Sequence, residues 1–283
     1  MKKVGVLLLF TFLFLVVYNV FLFAFPLKKT VFYTNRERIE EFVYGKDNYP
    51  TLLVGSSLSG AFEGHQLFPE NHFNLYLHFT GALTGLEIIK RSNEIPGKLF
   101  IEINYVNREI NSLLVNAIFN SPVHRLKYDL PFLLTKNKVF PNLTDRMREP
   151  SNNKINKKRP AENLYKELLK KEQARWNVIK DIRILNERLD YVKQAASSFA
   201  SKGCQIYFYE MPMDSSLSNS KLISYQRKYF VELALQNGYT FIDADQGRTY
   251  QTGDGVHLLK KDANVYTGYF KQAANKKQVG VTK

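Results

Sequence analysis

A serine and an Asp-x-x-His pair, far apart in the chain, are of the residue types that nucleophilic catalysis requires. Ser57 follows the short apolar run Thr51–Val54 and then Gly55, a pattern typical of a buried strand that ends in a tight turn. Near the other end of the chain, Asp254 stands three residues before His257. A carboxylate can accept a hydrogen bond from one imidazole nitrogen while the other nitrogen faces a serine. Because a serine becomes a nucleophile only when a base removes its proton, these residues indicate acyl transfer.

At these positions the sequence resembles the SGNH (GDSL-type) hydrolases. The first block of that family is Gly-Asp-Ser-Leu, and residues 55–58 read Gly-Ser-Ser-Leu, with Ser56 in place of the Asp. The last block, Asp-x-x-His, matches residues 254–257. The resemblance implies that Ser57 is the nucleophile, His257 the base and Asp254 the residue that orients the imidazole. No cofactor is expected, and no Cys/His spacing in the sequence indicates a metal. Ser56 leaves the nucleophile in place but removes a carboxylate that can organise the turn, which its hydroxyl could partly replace.

Two further blocks of the family supply hydrogen-bond donors to the oxyanion. The glycine block corresponds to Gly81, after the second apolar run. The asparagine block, often Gly-x-Asn-Asp, fits less closely: Asn104 is the first candidate and Asn107 the second. Since losing one oxyanion donor costs about 10²–10³ in rate, this departure from the family bears on whether the site is active.

Five apolar runs predict the strands of a sheet. They are continuous rather than alternating, as in strands covered on both faces, and the segments between them are long enough for crossover helices. The runs are 51–54, 73–77, 98–103, 205–210 and 239–242. Together with the resemblance, they indicate an α/β fold of three layers, α/β/α, around a central, mostly parallel five-stranded sheet. Ligands bind at the carboxyl edge of such sheets.

The amino-terminal segment predicts a transmembrane helix that precedes this fold. Residues 4–25 are almost wholly apolar, with Asn19 as the one strongly polar residue, and about 20 such residues span a bilayer. The run exceeds the apolar region of a cleaved signal peptide and lacks an Ala-x-Ala site. Segment 1–29 is therefore interpreted as an uncleaved signal anchor. Basic residues flank both ends, and the resemblance to anchored members implies a single-pass protein of the cell membrane with its catalytic domain outside the cytoplasm.

The rest of the chain is predicted to form a connector, one domain and a tail. Residues 30–48 form the connector, 49–275 the SGNH-like domain, and 276–283 a basic, frayed tail. Within the domain, the irregular insert 111–160 fits a lid, a pocket wall or a structural cap. The end of the insert, 146–160, is polar enough to predict a mobile loop.

Several single residues have a structural as well as a functional interpretation. Residues 161–200 have the apolar spacing of one long helix or two, in which Trp176 is more consistent with a core residue than with a platform for a sugar ring. Asp214 and Ser215 fit a helix cap better than a pocket lining. Cys204 has no second thiol to pair with, which predicts a buried structural residue.

The formal net charge of +14 favours an anionic partner, such as an envelope polymer or lipid headgroups. A lysine-rich solvated surface explains it equally well. No recognised binding motif accompanies the charge, which disfavours nucleic acid as a partner.

Two functions fit these observations. In the first, the chain is a serine esterase or O-acyltransferase that acts on ester-linked acyl groups of cell-envelope glycans, as similar membrane-anchored SGNH proteins do. Water or a sugar hydroxyl then releases the acyl group from Ser57. In the second, the domain is catalytically silent and presents envelope polymer or docks a membrane acyltransferase. The sequence does not separate hydrolase from transferase.

Overall fold

The computed structural model describes residues 2–24, 31–45, 47–130, 133–137, 158–245 and 247–276. The chain divides into two compact units, one of residues 1–45 and 120–152, the other of residues 46–119 and 153–283. Every predicted site residue belongs to the second unit.

The second unit is built on a parallel sheet of five strands. The strands are β1 (Thr51–Gly55), β2 (His72–Tyr76), β3 (Lys98–Glu102), β4 (Gln205–Tyr209) and β5 (Thr240–Ile242), in the order β2-β1-β3-β4-β5. All pairings between neighbouring strands are parallel. β1 is buried along its whole length, which explains why its sequence is continuously apolar. The five predicted strands are thus present, each within one residue of its predicted bounds.

The strand order places a topological switch point beside β1. From β1 the chain runs outward to β2 on one side and then returns to β3 on the other side. In open parallel sheets, ligands bind outside the carboxyl ends of the strands at such a point. Ser57 lies two residues after the end of β1, at this edge of the sheet.

Ten α-helices are described. They are α1 (Lys2–Ala24), α2 (Val31–Tyr44), α3 (Ala82–Ser92), α4 (Ser112–Phe119), α5 (Leu126–Asp129), α6 (Glu162–Trp176), α7 (Ile182–Ala200), α8 (Ser215–Ser218), α9 (Lys221–Asn237) and α10 (Lys260–Asn275). Short 3₁₀ helices lie at Ser57–Phe62 and Thr135–Asn137. The segment predicted as one long helix or two is two helices, α6 and α7, the second capped by the Asp181 carboxylate.

Helices cover both faces of the sheet, as the continuous apolar strands require. On one face, α3 approaches so closely that a Cβ added to Gly85 would lie 3.1 Å from the Cβ of Val54. On the other face, the Phe270 ring of α10 packs against Phe100, at 5.6 Å between ring centroids. The same ring lies 4.7 Å from that of Phe62. Because Phe62 ends the 3₁₀ helix that begins at Ser57, this core contact anchors the serine turn to α10.

A buried ion pair organises the first unit. Glu40 of α2 accepts a hydrogen bond from Lys127 Nζ of α5 at 2.7 Å, and both side chains are almost completely buried. Its carboxylate also accepts the backbone N–H and the hydroxyl of Thr135. Burial raises the pKa of Glu40, but these bonds outweigh it and hold the pKa below its usual value. Removing either charge would leave the other buried without its partner, which is strongly destabilising.

The predicted transmembrane anchor at 1–29 is wrong. Across the described ranges, no helix combines the length and the apolar content that a membrane crossing requires. The prediction treated residues 4–25 as one span of about 20 apolar residues, and the described helices supply no stretch that meets both conditions. The predicted single-pass location at the cell membrane depended on that span and is wrong with it.

Two other predicted segments contain helices. The predicted connector contains a helix of 14 residues, α2. The insert 111–160 contains α4 and α5. Most of the predicted mobile loop at 146–160 and all but the first residue of the tail at 276–283 lie outside the described residues.

Candidate active site

Three side chains from distant parts of the chain form a continuous hydrogen-bonded series. Ser57 Oγ lies 2.9 Å from His257 Nε2, and His257 Nδ1 lies 2.7 Å from Asp254 Oδ2. The side chains of His257 and Asp254 are 28% and 24% exposed, so the series is open to solvent. The arrangement has the order of nucleophile, base and orienting carboxylate that serine acyl transfer uses.

The loop that carries the histidine is fixed by its own backbone. Asp254 Oδ1 accepts the N–H groups of Val256 at 3.0 Å and His257 at 2.8 Å. The N–H of Gly253 donates to the carbonyl of His257 at 2.8 Å. Gly255 has a φ of 95°, in the region that favours glycine. Asp254 therefore positions both the backbone and the imidazole of His257.

The charge state of Asp254 suits this role. Burial raises the pKa of Asp254, but the hydrogen bond and charge of His257 and the two backbone N–H groups outweigh it, so the pKa lies below its usual value. An ionised carboxylate only accepts hydrogen bonds. It therefore favours the tautomer with the proton on His257 Nδ1, which leaves Nε2 as the acceptor that faces Ser57.

A tyrosine of α6 supports the histidine loop from outside it. The Tyr165 hydroxyl donates to Asp214 Oδ2 at 2.6 Å and lies 2.9 Å from Thr252 Oγ1. The N–H of Asp214 donates to the carbonyl of Gly255 at 2.8 Å. Asp214 also caps α8 by accepting the N–H of Ser216. The predicted cap at Asp214 is therefore present, and it is tied to the loop that carries Asp254 and His257.

A glutamate at the end of β3 holds the serine turn. The buried Glu102 accepts the N–H of Ser56 at 2.9 Å through Oε2 and the Ser56 hydroxyl at 2.7 Å through Oε1. Ser56 Oγ in turn accepts the N–H of Leu58 at 3.2 Å. The residue before Ser57 is thus fixed through both its backbone and its side chain. Sequence reasoning missed Glu102, although a carboxylate at the end of the apolar strand β3 was a signal.

The hydrogen-bond network of this carboxylate also includes a second serine and a tyrosine. Ser59 Oγ donates to Glu102 Oε2 and lies 2.7 Å from the Tyr209 hydroxyl. A Cβ added to Gly55 would lie 2.5 Å from Glu102 Oε2 and 2.1 Å from Ser59 Oγ. Gly55 therefore leaves the space that this network occupies, in addition to allowing the turn.

Burial dominates the ionisation of Glu102. It raises the pKa of this carboxyl above its usual value, against the opposing effects of the Ser59 and Ser56 hydrogen bonds and of the positive charge of Arg108. A protonated Glu102 can donate one hydrogen bond, whereas an ionised one accepts from every neighbour. The turn that carries Ser57 is thus coupled to the protonation of a buried acid.

Gly81, the predicted glycine donor to the oxyanion, lies at the start of α3. It is the residue that caps the helix, where the first backbone N–H groups have no acceptor within the helix. A Cβ at Gly81 would lie 2.1 Å from the carbonyl oxygen of Tyr105. Only glycine therefore allows the loops after β2 and β3 to approach this closely. Its role as an oxyanion donor stays a prediction.

The Asn104 side chain is occupied by the backbone. Its Nδ2 donates to the carbonyl of Met211 at 2.9 Å, and its Oδ1 accepts the N–H of Met211 at 2.7 Å. Asn104 is completely buried. Both polar atoms of the amide thus join the loops after β3 and β4, and one of the two Nδ2 hydrogens is already used. The role of Asn104 as an oxyanion donor stays a prediction.

Asn107 is the second candidate of the two asparagines. Its Oδ1 is buried and has no hydrogen-bond partner within the described ranges. Its backbone carbonyl accepts a hydrogen bond from the guanidinium of Arg188. The main chain at Asn107 is thus held while the side-chain carbonyl is unsatisfied, and a role for its amide in the site stays a prediction.

Two residues considered for function are buried. Trp176 is completely buried, and its indole N–H donates to Glu172 Oε2 at 2.9 Å, so it cannot serve as a platform for a sugar. Cys204 is 5% exposed, and burial raises the pKa of its thiol to about 12. Such a thiol is protonated and inert at neutral pH.

Comparisons with known proteins give a distant structural likeness. No protein-family model and no curated protein matches the chain. A solved structure provisionally described as a platelet activating factor from Streptococcus pneumonia is similar, with 14% identity and a TM-score of 0.43. The likeness covers 85% of this chain and 91% of that chain.

Proposed function

We propose that this chain is a serine ester hydrolase of SGNH type that removes acyl groups from a glycan. The single observation that carries the proposal is the hydrogen-bonded series from Ser57 through His257 to Asp254. The turn held by Glu102 adds support, because it fixes the nucleophile at the switch point of the sheet. The glycan as carrier of the acyl group follows from the resemblance described above.

The reaction uses these residues in two halves. His257 Nε2 takes the Ser57 proton as Oγ attacks the ester carbonyl, and an oxyanion forms. The bond to the alcohol breaks as His257 returns the proton to the leaving oxygen, which leaves an acyl-serine. Water then attacks, again through His257, and releases the acid and free Ser57. If a sugar hydroxyl replaces water, the same steps transfer the acyl group.

Hydrolysis of p-nitrophenyl acetate tests the proposal. Wild type should release nitrophenolate above the background rate, and Ser57→Ala should not. Ser197→Ala, which alters an exposed serine of α7, is the matched control and should keep wild-type activity. Equal rates for wild type and Ser57→Ala would rule out Ser57 as the nucleophile.

A second candidate is a catalytically silent domain that binds an acylated polymer or docks an acyltransferase. The amide of Asn104 favours it, because its bonds to Met211 use one of its two Nδ2 hydrogens, and losing an oxyanion donor costs about 10²–10³ in rate. Binding of an acetylated oligosaccharide with no turnover above background would support this candidate over the hydrolase.

A further inference from the structure

Phe79, in the loop between β2 and α3, combines an unfavourable backbone conformation with an exposed apolar side chain. Its φ is 60°, and a bulky residue with positive φ is an outlier. Its side chain is 77% exposed, so the ring gains almost nothing from packing. Strain of this kind persists only when the surrounding structure imposes it, and it concentrates at functional sites.

Hydrogen bonds of its neighbours hold this conformation. Thr80 donates to the carbonyl of Leu77 from its N–H at 3.4 Å and from its hydroxyl at 3.3 Å. The carbonyl of Thr80 accepts from Arg108 Nη1 at 3.1 Å. The Arg108 guanidinium is itself stacked on the Tyr105 ring, 3.5 Å from its centroid. The turn therefore presents Phe79 to solvent from a fixed backbone.

The turn lies next to the nucleophile. β1 and β2 are paired in parallel with Gly55 opposite Tyr76, and the N–H of Leu77 donates to the carbonyl of Gly55 at 3.0 Å. Ser57 and Phe79 follow these partners by two and three residues. Both therefore lie at the same carboxyl edge of the sheet, after adjacent strands, and Gly81 is two residues beyond Phe79.

We propose that Phe79 is the platform on which the sugar ring that carries the acyl group stacks. The proposal rests on the proposed function and names its substrate class, a glycan ester. A hydrocarbon chain is bound by a concave apolar pocket that surrounds it, and a ring that is 77% exposed has no such walls. A flat exposed ring instead suits the C–H face of a sugar. It has no walls that would stop a longer polymer from extending past the ring at either end.

Two esters that differ in the alcohol separate this role from general loss of activity. Ethyl acetate has no ring, and methyl tetra-O-acetyl-glucopyranoside offers a flat sugar face. We expect Phe79→Ala to lower the ratio of kcat/KM for the sugar ester to that for ethyl acetate about 3- to 10-fold, the range of one aromatic contact. Phe79→Tyr should keep the wild-type ratio. Leu235→Ala removes an equally exposed side chain, 79% exposed, at the far end of α9 and should also keep it.

Other results would overturn the stacking role. An unchanged ratio in Phe79→Ala would do so, as would a loss specific to ethyl octanoate, which would indicate an acyl-chain contact. Phe79→Gly, which removes both the strain and the ring, should raise the melting temperature while lowering the ratio. A fall in the melting temperature would show that the ring is structural.

Calorimetric binding of the sugar ester to Ser57→Ala distinguishes this proposal from the proposed function. If wild type hydrolyses no ester, and Ser57→Ala/Phe79→Ala binds the sugar ester more weakly than Ser57→Ala does, the hydrolase would be overturned and the platform kept. Binding of equal strength in both variants, or no binding by either, would overturn the platform whatever the activity.

Discussion

The carboxylate of Glu102 accepts both the backbone N–H and the hydroxyl of Ser56, the residue directly before Ser57. A glutamate from the adjacent strand β3 thus holds the turn, and Ser56 supplies the two groups that it holds. The serine turn is thus built by two strands that are neighbours in the sheet.

Replacing Glu102 should destabilise the protein to a degree that depends on what remains to accept hydrogen bonds. Glu102→Ala leaves the buried N–H of Ser56 without an acceptor, at a cost of about 1–3 kcal/mol. Glu102→Gln keeps one acceptor oxygen and should lose less. Urea denaturation measures both free energies of unfolding. Glu187→Ala, on an exposed position of α7, is the control and should stay within about 0.5 kcal/mol of wild type. Equal stability of wild type and Glu102→Ala would contradict the role given to this carboxyl.

The pH dependence of stability should carry the signature of a buried acid at Glu102. Its pKa is raised above the usual 4.5, first of all by burial, so the folded state binds the proton more tightly than the unfolded state does. The resulting stabilisation is complete below about 4.5 and is lost as the pH rises through the folded-state pKa. The difference in unfolding free energy between wild type and Glu102→Gln should therefore shift against wild type as the pH rises above 4.5. A difference that shifts in favour of wild type over this range would show that the pKa is lowered.

Asp254→Asn should leave the fold intact and reduce turnover strongly. The amide can stabilise the wrong imidazole tautomer, a change that costs about 10⁴ in kcat in a comparable triad. Combined with Ser57→Ala, it should cost little beyond Ser57→Ala alone, because residues that act as one unit are not additive. Kinetics on p-nitrophenyl acetate, with circular dichroism to check the fold, test this. Normal turnover in Asp254→Asn would mean that the bond to His257 has no part in the reaction.

Tyr165→Phe should loosen the loop that carries His257, and it leaves Ser57 and Asp254 unaltered. It removes the hydroxyl that bonds Asp214 and Thr252, and a hydrogen bond to a charged group contributes about 1.5–3 kcal/mol. We expect lower stability by urea denaturation and a lower kcat at nearly unchanged KM. Tyr225→Phe, whose hydroxyl bonds Asn186 on the surface, is the matched control. A Tyr165→Phe variant with wild-type stability and kcat would show that the loop is fixed by its own backbone bonds alone.

The strands and the hydrogen-bonded series from Ser57 to Asp254 could be predicted because each depends on short stretches of sequence. A strand covered on both faces must be continuously apolar, and Asp254 fixes His257 through bonds that reach only three residues along the chain. The order of the elements then brings Ser57 to the same edge. In each case the residues that form the sequence pattern are the same residues that are buried or hydrogen-bonded in the structure.

The support of the site could not be predicted because its bonds join residues distant in sequence. Ser56 and Glu102 are 46 residues apart, and Asn104 and Met211 are 107 apart. An asparagine that follows a strand gives the same sequence pattern whether its amide bonds an oxyanion or the backbone of another loop. The strain at Phe79 was likewise hidden, because His78, Phe79 and Thr80 form no sequence pattern that requires a positive φ.

Labelling with an active-site fluorophosphonate is the most direct measurement of whether Ser57 is an activated nucleophile. The probe reacts with a serine whose proton a nearby base removes, and it needs no knowledge of the natural ester. Wild type should gain one adduct, which peptide mass spectrometry should locate on Ser57. Ser57→Ala should gain none, His257→Ala should react far more slowly, and Ser197→Ala should label like wild type. A wild-type protein that stays unlabelled, or that is labelled on another serine, would contradict the hydrolase.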